Sequence, residues 1–248
     1  MARKRPEDRV DRLVECAARV FTERGYKRTQ MADVARAMGV APGTLYLYVE
    51  SKEALFDLVV QRAFLDQPAA PLPQLPIGMP APGQTLRHVR ERFAREARLP
   101  ALQAAYARTR ADEPRIELER VIRELYAVVA RNRRGNQLLE RSALDHPALA
   151  QLYFKRMRRT LIERLTQYLE RRIRHGAFRP VPDTATAARL ILEIVAWFAM
   201  HRHGDRDPVI LDERLAEDTV VAVLVNAFVK EEKQYAIGHG SRRADRRS

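Results

Sequence analysis

Apolar positions recur along most of this chain with the period of an α-helix, and no two segments alternate as paired strands would. Val10, Leu13, Val14, Ala17, Ala18 and Phe21 repeat at helical spacing, Arg and Glu fill the other face, and Gly25 follows where a helix-ending glycine belongs. A second apolar set, Met31, Val34, Ala35 and Met38, stops at Gly39. Pro42 opens a very short third helix, at a position where its missing N–H costs nothing. Ser51 is placed to cap a fourth helix containing Leu55, Leu58, Val59 and Arg62.

Residues 68–83, PAAPLPQLPIGMPAPG, hold six of the 14 prolines, a density that no helix survives. The segment reads as a stiff, extended connector rather than as a proline-rich peptide ligand. Helical periodicity then returns. Leu86, Val89, Phe93 and Ala97 form a stripe before Pro100, and Leu118, Val121, Ile122, Leu125, Val128 and Val129 form another after Pro114. A long helix is predicted over 147–175, closed by Gly176, with two more over about 183–203 and 212–232. The expected fold is all-α: an N-terminal three-helix unit at 1–66, a Pro-rich linker at 67–83, a C-terminal helical bundle at 84–235 and a basic, disordered tail at 236–248.

The stretch 31–55, MADVARAMGVAPGTLYLYVESKEAL, has the internal logic of a helix-turn-helix. Ala35 is small where two helices must cross closely, Gly39 supplies the positive φ of the turn, and Val40 plugs the angle between the helices. The helix after the turn is too short and too poor in apolar residues to be kept for packing alone. It presents Pro42, Gly43, Thr44, Tyr46, Leu47 and Tyr48, while Leu45 and Val49 point inward. Such a helix suits a DNA major groove, entered N-terminus first.

At this point the sequence resembles the TetR family of bacterial regulators. The resemblance rests on Gly25-Tyr26, Val34-Ala35, Gly39-Val40, Gly43-Thr44-Leu45-Tyr46, Tyr48 and Ser51-Lys52-Glu53, and it covers residues 10 to about 64 closely. It implies that Thr44, Tyr46 and Tyr48 are the main DNA-facing side chains and that Gly43 lets the backbone approach a phosphate. Two roles stay open for each neighbour: Leu47 either touches a thymine methyl or is simply tolerated exposure, and Tyr46 either faces DNA or half-buries against the first helix with only its hydroxyl reaching DNA. Lys52 stands in the first turn of a helix, where the macrodipole disfavours a cation, which points to a phosphate contact. Lys27, Arg28 and Thr29 precede the second helix, whose N-terminus also faces a phosphate in such proteins. Two positions depart from the family pattern. Gln30 replaces the usual capping Thr or Ser, so Thr29 is expected to cap one residue early, and Ala41 replaces the usual Ser before the reader helix.

The resemblance further implies a C-terminal domain that binds a small-molecule inducer and dimerises; Ala185, Ala187, Ala188, Ala196 and Ala199 permit the close packing of a homodimer through the last two helices, and an ordinary intrachain bundle would carry the same small residues. Phe93, Tyr126, Tyr153, Phe154 and Met157 are the candidate pocket residues, with core packing the competing role for each. A dimer on a pseudo-palindromic operator follows, because one short helix reads too few bases for useful specificity.

Composition adds less. The formal charge of +13 favours a polyanionic partner, but the excess is mostly Arg, much of it outside residues 1–66. A single cysteine, Cys16, excludes an internal disulfide and fits the cytoplasm. The N-terminus lacks the apolar run of a signal peptide, and the apolar stretch 190–200 is too short to span a membrane and contains Glu193. Arg3, Lys4 and Arg5 form a candidate basic arm, with a disordered terminus the equal alternative. His201 and His203 lie two apart, a poor metal pair on a helix, and no glycine-rich phosphate loop or nucleophile motif occurs, so no catalysis, metal or cofactor is expected. Two other readings stay open: a basic helical protein that coats nucleic acid without sequence preference, and an all-helical enzyme.

Overall fold

The computed structural model describes residues 6–62, 74–96, 98–205 and 212–230. The candidate arm at Arg3, Lys4 and Arg5, residues 67–73 of the linker and the tail at 236–248 lie outside them. Among the described residues the fold is all-α, with two isolated β-bridges, Val49–Ile77 and Phe178–Val229. The first four helices are α1 (Pro6–Arg24), α2 (Met31–Met38), α3 (Pro42–Leu45) and α4 (Lys52–Arg62). There follow α5 (Gln84–Glu96), α6 (Pro100–Ala107), α7 (Pro114–Arg131), α8 (Arg133–Ala143) and α9 (Pro147–Ala150). A π-helical stretch, Gln151–Arg158, leads into α10 (Arg159–Arg174), and α11 (Thr184–Ala199) and α12 (Glu213–Phe228) are the last α-helices among the described residues. No described helix is long and apolar enough to cross a membrane.

The helix starts follow local chemistry. Pro occupies the first turn of α3, α6, α7 and α9. The carboxylates of Asp183 and Asp212 accept from the amides of Thr186 and Leu215 at the starts of α11 and α12. α6 and α8 were not anticipated, because α6 carries only Leu102 and Ala105 inward and α8 is a run of polar residues around Leu138 and Leu139. The long helix expected over 147–175 is helical throughout to Arg174, but its first part takes the wider π turn. α11 stops earlier than expected. Arg133 donates to the Ala199 carbonyl (2.9 Å) and Gln137 to that of Met200 (3.2 Å), so α8 takes up the terminal carbonyls and His201–Gly204 turn as a short 3-10 helix.

Two apolar cores result. The first gathers α1, α2, α4 and the buried residues of the α3 turn, and it reaches past residue 84 to enlist Val89, Leu138, Leu139, Leu149 and Leu152. The second joins α6, α7, α10, α11 and α12. Of the two roles open to the α11 alanines, Ala187, Ala188, Ala196 and Ala199 take the intrachain one: they are buried within the chain's own fold, where small side chains let α11 approach α10 and α7. The linker also departs from expectation. Residues 74–80 are not a free connector, since Leu75 and Ile77 pack against the first core.

Arg172 is the one wholly buried cation among the described residues. Its guanidinium forks onto Glu117 (2.6 and 2.9 Å) and donates to the carbonyls of Ala105, Arg108 and Thr109, which fastens the end of α6 to α7 and α10. Truncation would leave Glu117 with only the Tyr168 hydroxyl as donor (3.0 Å) and take the Arg172 donor from those three carbonyls. Arg172→Ala should therefore lower unfolding stability by about 3–5 kcal/mol in urea titration, and a loss under about 1 kcal/mol would contradict this role.

Candidate nucleic-acid interface

The turn between α2 and α3 is built by backbone chemistry. Gly39 adopts φ +72, its N–H returns to the Arg36 carbonyl (3.1 Å), and Val40 N–H returns to Ala35 (3.0 Å). Arg12 of α1 donates to the Met38 carbonyl (3.0 Å), satisfying an acceptor that the helix end leaves open. The chain then enters α3, a single turn whose N-cap residue, Ala41, is extended and has no side chain able to bond the first amides.

Leu45, Tyr48 and Val49 share the inward face of this turn and are buried. Tyr46 and Leu47 stand out from the surface, 50% and 66% exposed, with Thr44 half-buried beside them. Ala41, Pro42 and Gly43 are exposed, and a Cβ built on Gly43 meets nothing within 4 Å. Tyr48 is a correction: expected to face DNA, it is only 7% exposed. The helical repeat explains it, because Tyr48 lies three residues after Leu45 and so falls on the same core-facing side.

The α1–α2 loop carries Lys27, Arg28 and Gln30 on its exposed side. Thr29 does not join them. It is 1% exposed and its hydroxyl donates back to the Gly25 carbonyl (2.7 Å), so it neither caps α2 nor reaches a ligand. Gln30 holds the N-cap position, and its backbone N–H donates to Asp33 Oδ2 (3.0 Å). That bond, followed by Arg24 and Arg36, holds the Asp33 carboxyl below the usual carboxylate range.

Lys52 is the second correction. Its ammonium donates to the carbonyls of Tyr26 (3.3 Å), Lys27 (3.4 Å) and Thr29 (3.2 Å), and it sits 4.6 Å from the centroid of the Tyr26 ring. All three N–H donors are thus committed to the loop, which compensates for the unfavourable end of the α4 dipole. Tyr26 in turn donates to Glu53 Oε1 (2.8 Å) and packs against Phe56; burial, then this bond, pushes its phenol pKa up.

The other side of the loop is held by residues with no recognised sequence signal. Asp145, between α8 and α9, accepts from the Lys27 amide (3.2 Å) and lies 3.7 Å from Arg28. Gly25, at φ +83, is needed there, since a Cβ would meet Asp145 Oδ2 at 3.0 Å. Arg141 donates to the Glu23 carbonyl (3.2 Å). On α4, the buried Asp57 bonds Gln61 (2.8 Å) and His88 of α5 (3.0 Å).

A cavity of about 340 Å³ opens between α5, α7, the π-helical stretch and α10. Of the five candidate pocket residues it takes Phe93 and Met157. Tyr126 lies in the second core, and Tyr153 and Phe154 pack edge to face on each other at the first, so these three do not line it. Leu125, Val128, Leu152 and Leu161 give it an apolar wall; Arg90, Arg92, Arg156 and Arg164 are its charged residues, and its described lining holds no carboxylate. Among the described residues no group of three or more His, Cys, Asp or Glu side chains is arranged to hold a metal ion.

Residues 13–59 match the family described as "Bacterial regulatory proteins, tetR family", and residues 135–229 match "AefR-like transcriptional repressor, C-terminal domain". The segment is 41% identical over 61 residues to the HTH-type transcriptional repressor KstR2 of Mycolicibacterium smegmatis, covering 25% of this chain and 29% of that protein. It is 40% identical over 53 residues to the fatty acid metabolism regulator protein of Bacillus subtilis, covering 21% of this chain and 26% of that one. The chain thus spans under a third of the length of these relatives. In overall shape it is similar to the ketosteroid regulator KstR2 of Mycobacterium tuberculosis, with TM-score 0.56 at 17% identity over 92% of this chain and 98% of that one. It is also similar to AibR in complex with isovaleryl coenzyme A and operator DNA, with TM-score 0.50 at 19% identity over 88% and 98%. At such identities the likeness concerns the fold alone.

Ala41→Ser supplies the missing cap and should raise the stability of the free protein by about 0.5–1 kcal/mol; an unchanged or lower melting temperature would contradict the cap argument. Lys52→Met should cost about 1–2 kcal/mol of stability by freeing three loop carbonyls. It should leave the salt dependence of DNA binding unchanged, whereas loss of a phosphate contact would lower that slope by about 0.9.

Proposed function

Because the chain belongs to the TetR family of bacterial regulatory proteins, we propose that it is a ligand-responsive transcriptional repressor, acting in the cytoplasm, that binds operator DNA as a dimer. The observation that carries this reading is the one-turn α3, which turns Thr44, Tyr46 and Leu47 outward from a rigid three-helix support. Thr44, Tyr46 and Leu47 read base edges in the major groove; Ala41, Pro42 and Gly43 bring the backbone close to a phosphate; Lys27, Arg28 and Gln30 fix the register on the adjacent backbone.

The second copy docks on α11 and α12. Leu190 and Trp197 of α11, with Leu215 and Val223 of α12, are large apolar side chains left exposed on these helices, which favours a partner surface there. The inducer occupies the cavity beside α5. An apolar wall with four arginines suits a ligand with a hydrocarbon part and an anionic head, and isovaleryl coenzyme A, the compound bound by the structural neighbour AibR, has that chemistry. Its effect reaches the reader through α5, joined to α4 by His88 and Asp57, and through the π-helical stretch, which continues from the α9 corner where Asp145 holds the Lys27 amide. The ligand shifts the reader only so far as it favours one arrangement of these contacts over the other.

The test is selective binding. With duplexes enriched from a randomised pool, Tyr46→Ala and Thr44→Ala should each lose about 1–3 kcal/mol of preference for the selected sequence over mixed DNA. Arg28→Ala should weaken binding to both alike. A protein that coats nucleic acid without preference would yield no enriched duplex and lose affinity evenly with all three changes.

A further inference from the structure

We propose that the segment Leu75–Met79 is a positioning strap for the DNA reader, fixing the orientation of Tyr46 and Leu47 from outside the helix-turn-helix. The proposal rests on the reading of α3 as a sequence reader and assigns to part of the proline-rich linker a role in specificity.

The geometry is a short parallel pairing. Ile77 N–H donates to the Tyr48 carbonyl (2.8 Å), and Glu50 N–H donates to the Ile77 carbonyl (3.0 Å), making the Val49–Ile77 bridge. Two residues further on, Met79 N–H donates to Glu50 Oε2 (3.3 Å). The Leu75 and Ile77 side chains pack partly buried against the first core, so the strap is held by apolar contact as well as by its main chain.

These bonds fall where the reader lacks its own. α3 ends at Leu45, and the following turn uses the amides of Tyr46, Leu47, Tyr48 and Val49 to reach Gly43, Thr44 and Leu45. The Tyr48 carbonyl and the Glu50 amide then lie beyond helical pairing, one residue after the exposed Leu47 and one residue before Ser51, which caps α4. The strap takes both. A reader uncapped at its start and tied at its exit by a segment almost 30 residues further along the chain depends on that segment for its angle. The strap is also continuous with α5: the turn at Ala81–Gln84 starts that helix, so the reader's exit and the cavity-lining helix are joined by a few residues.

The experiment compares Ile77→Pro, which deletes the amide donor, and Ile77→Val, which keeps the main-chain bonds and most of the packing, in the full chain. In Ile77→Pro, amide hydrogen exchange at residues 46–50 should quicken about tenfold or more while that of α10 stays unchanged. Affinity for a duplex selected by the parent protein should fall about tenfold, with affinity for mixed-sequence DNA within about twofold, and Ile77→Val should behave as the parent. A selected-to-mixed preference equal to the parent's in Ile77→Pro would overturn the proposal. If the parent enriches no duplex at all, the regulator reading fails separately, and the strap stands or falls on the exchange at residues 46–50: quickened exchange supports it, and unchanged exchange overturns it.

Discussion

A single turn of helix fixes the backbone of several residues in return for one or two hydrogen bonds, so α3 has no stability of its own. Its start at Ala41 lacks a side-chain cap, which removes one more internal support. What holds it is everything around it: Leu45, Tyr48 and Val49 sunk in the core, the Gly39 turn behind it, and main-chain bonds to Ile77 at its exit. The N-terminal half of the protein can be understood as the means of presenting four or five otherwise unstable residues at one angle.

The same division of labour explains Lys52. Between α1 and α2 the chain leaves the carbonyls of Tyr26, Lys27 and Thr29 outside any helix, and each needs a donor. One ammonium serves all three, against the local helix dipole, and leaves the exposed side of the loop to Lys27 and Arg28. Asp145 and Arg141 hold the loop from the other face. The first core accordingly includes residues from α5, α8, α9 and the π-helical stretch, so reader and cavity are built on shared packing rather than on separate blocks.

Helical periodicity made the fold class and most of α1, α2, α5, α7, α10, α11 and α12 legible from the amino acids, and α4 was legible too although Ala54 to Val60 are buried all round it rather than on one face. α6 and α8 escaped because their inward residues are few. Within the reader, the turn glycine and the inward Leu45 and Val49 were legible, but Tyr48 was placed outward although its distance from Leu45 already put it on the inner face. Lys52 and Tyr26 both stood out as residues of the family pattern, yet nothing in a linear sequence says that they touch. Asp145 and Ile77 carry no pattern at all, since both act by meeting backbone groups far away in the chain. For the cavity, aromatic character was a weak guide: Tyr126, Tyr153 and Phe154 serve the cores, and the wall is mostly aliphatic with an arginine set from α5, the π-helical stretch and α10.

The central claim is that paired copies of α3 read DNA sequence. Hydroxyl-radical and methylation-interference footprinting of the purified protein on duplexes enriched from a randomised pool tests it most directly. The account predicts two related half-sites centred about one helical turn, or a multiple of it, apart, with interference at major-groove guanines in each. Uniform backbone protection with no preferred half-site and no major-groove interference would contradict it.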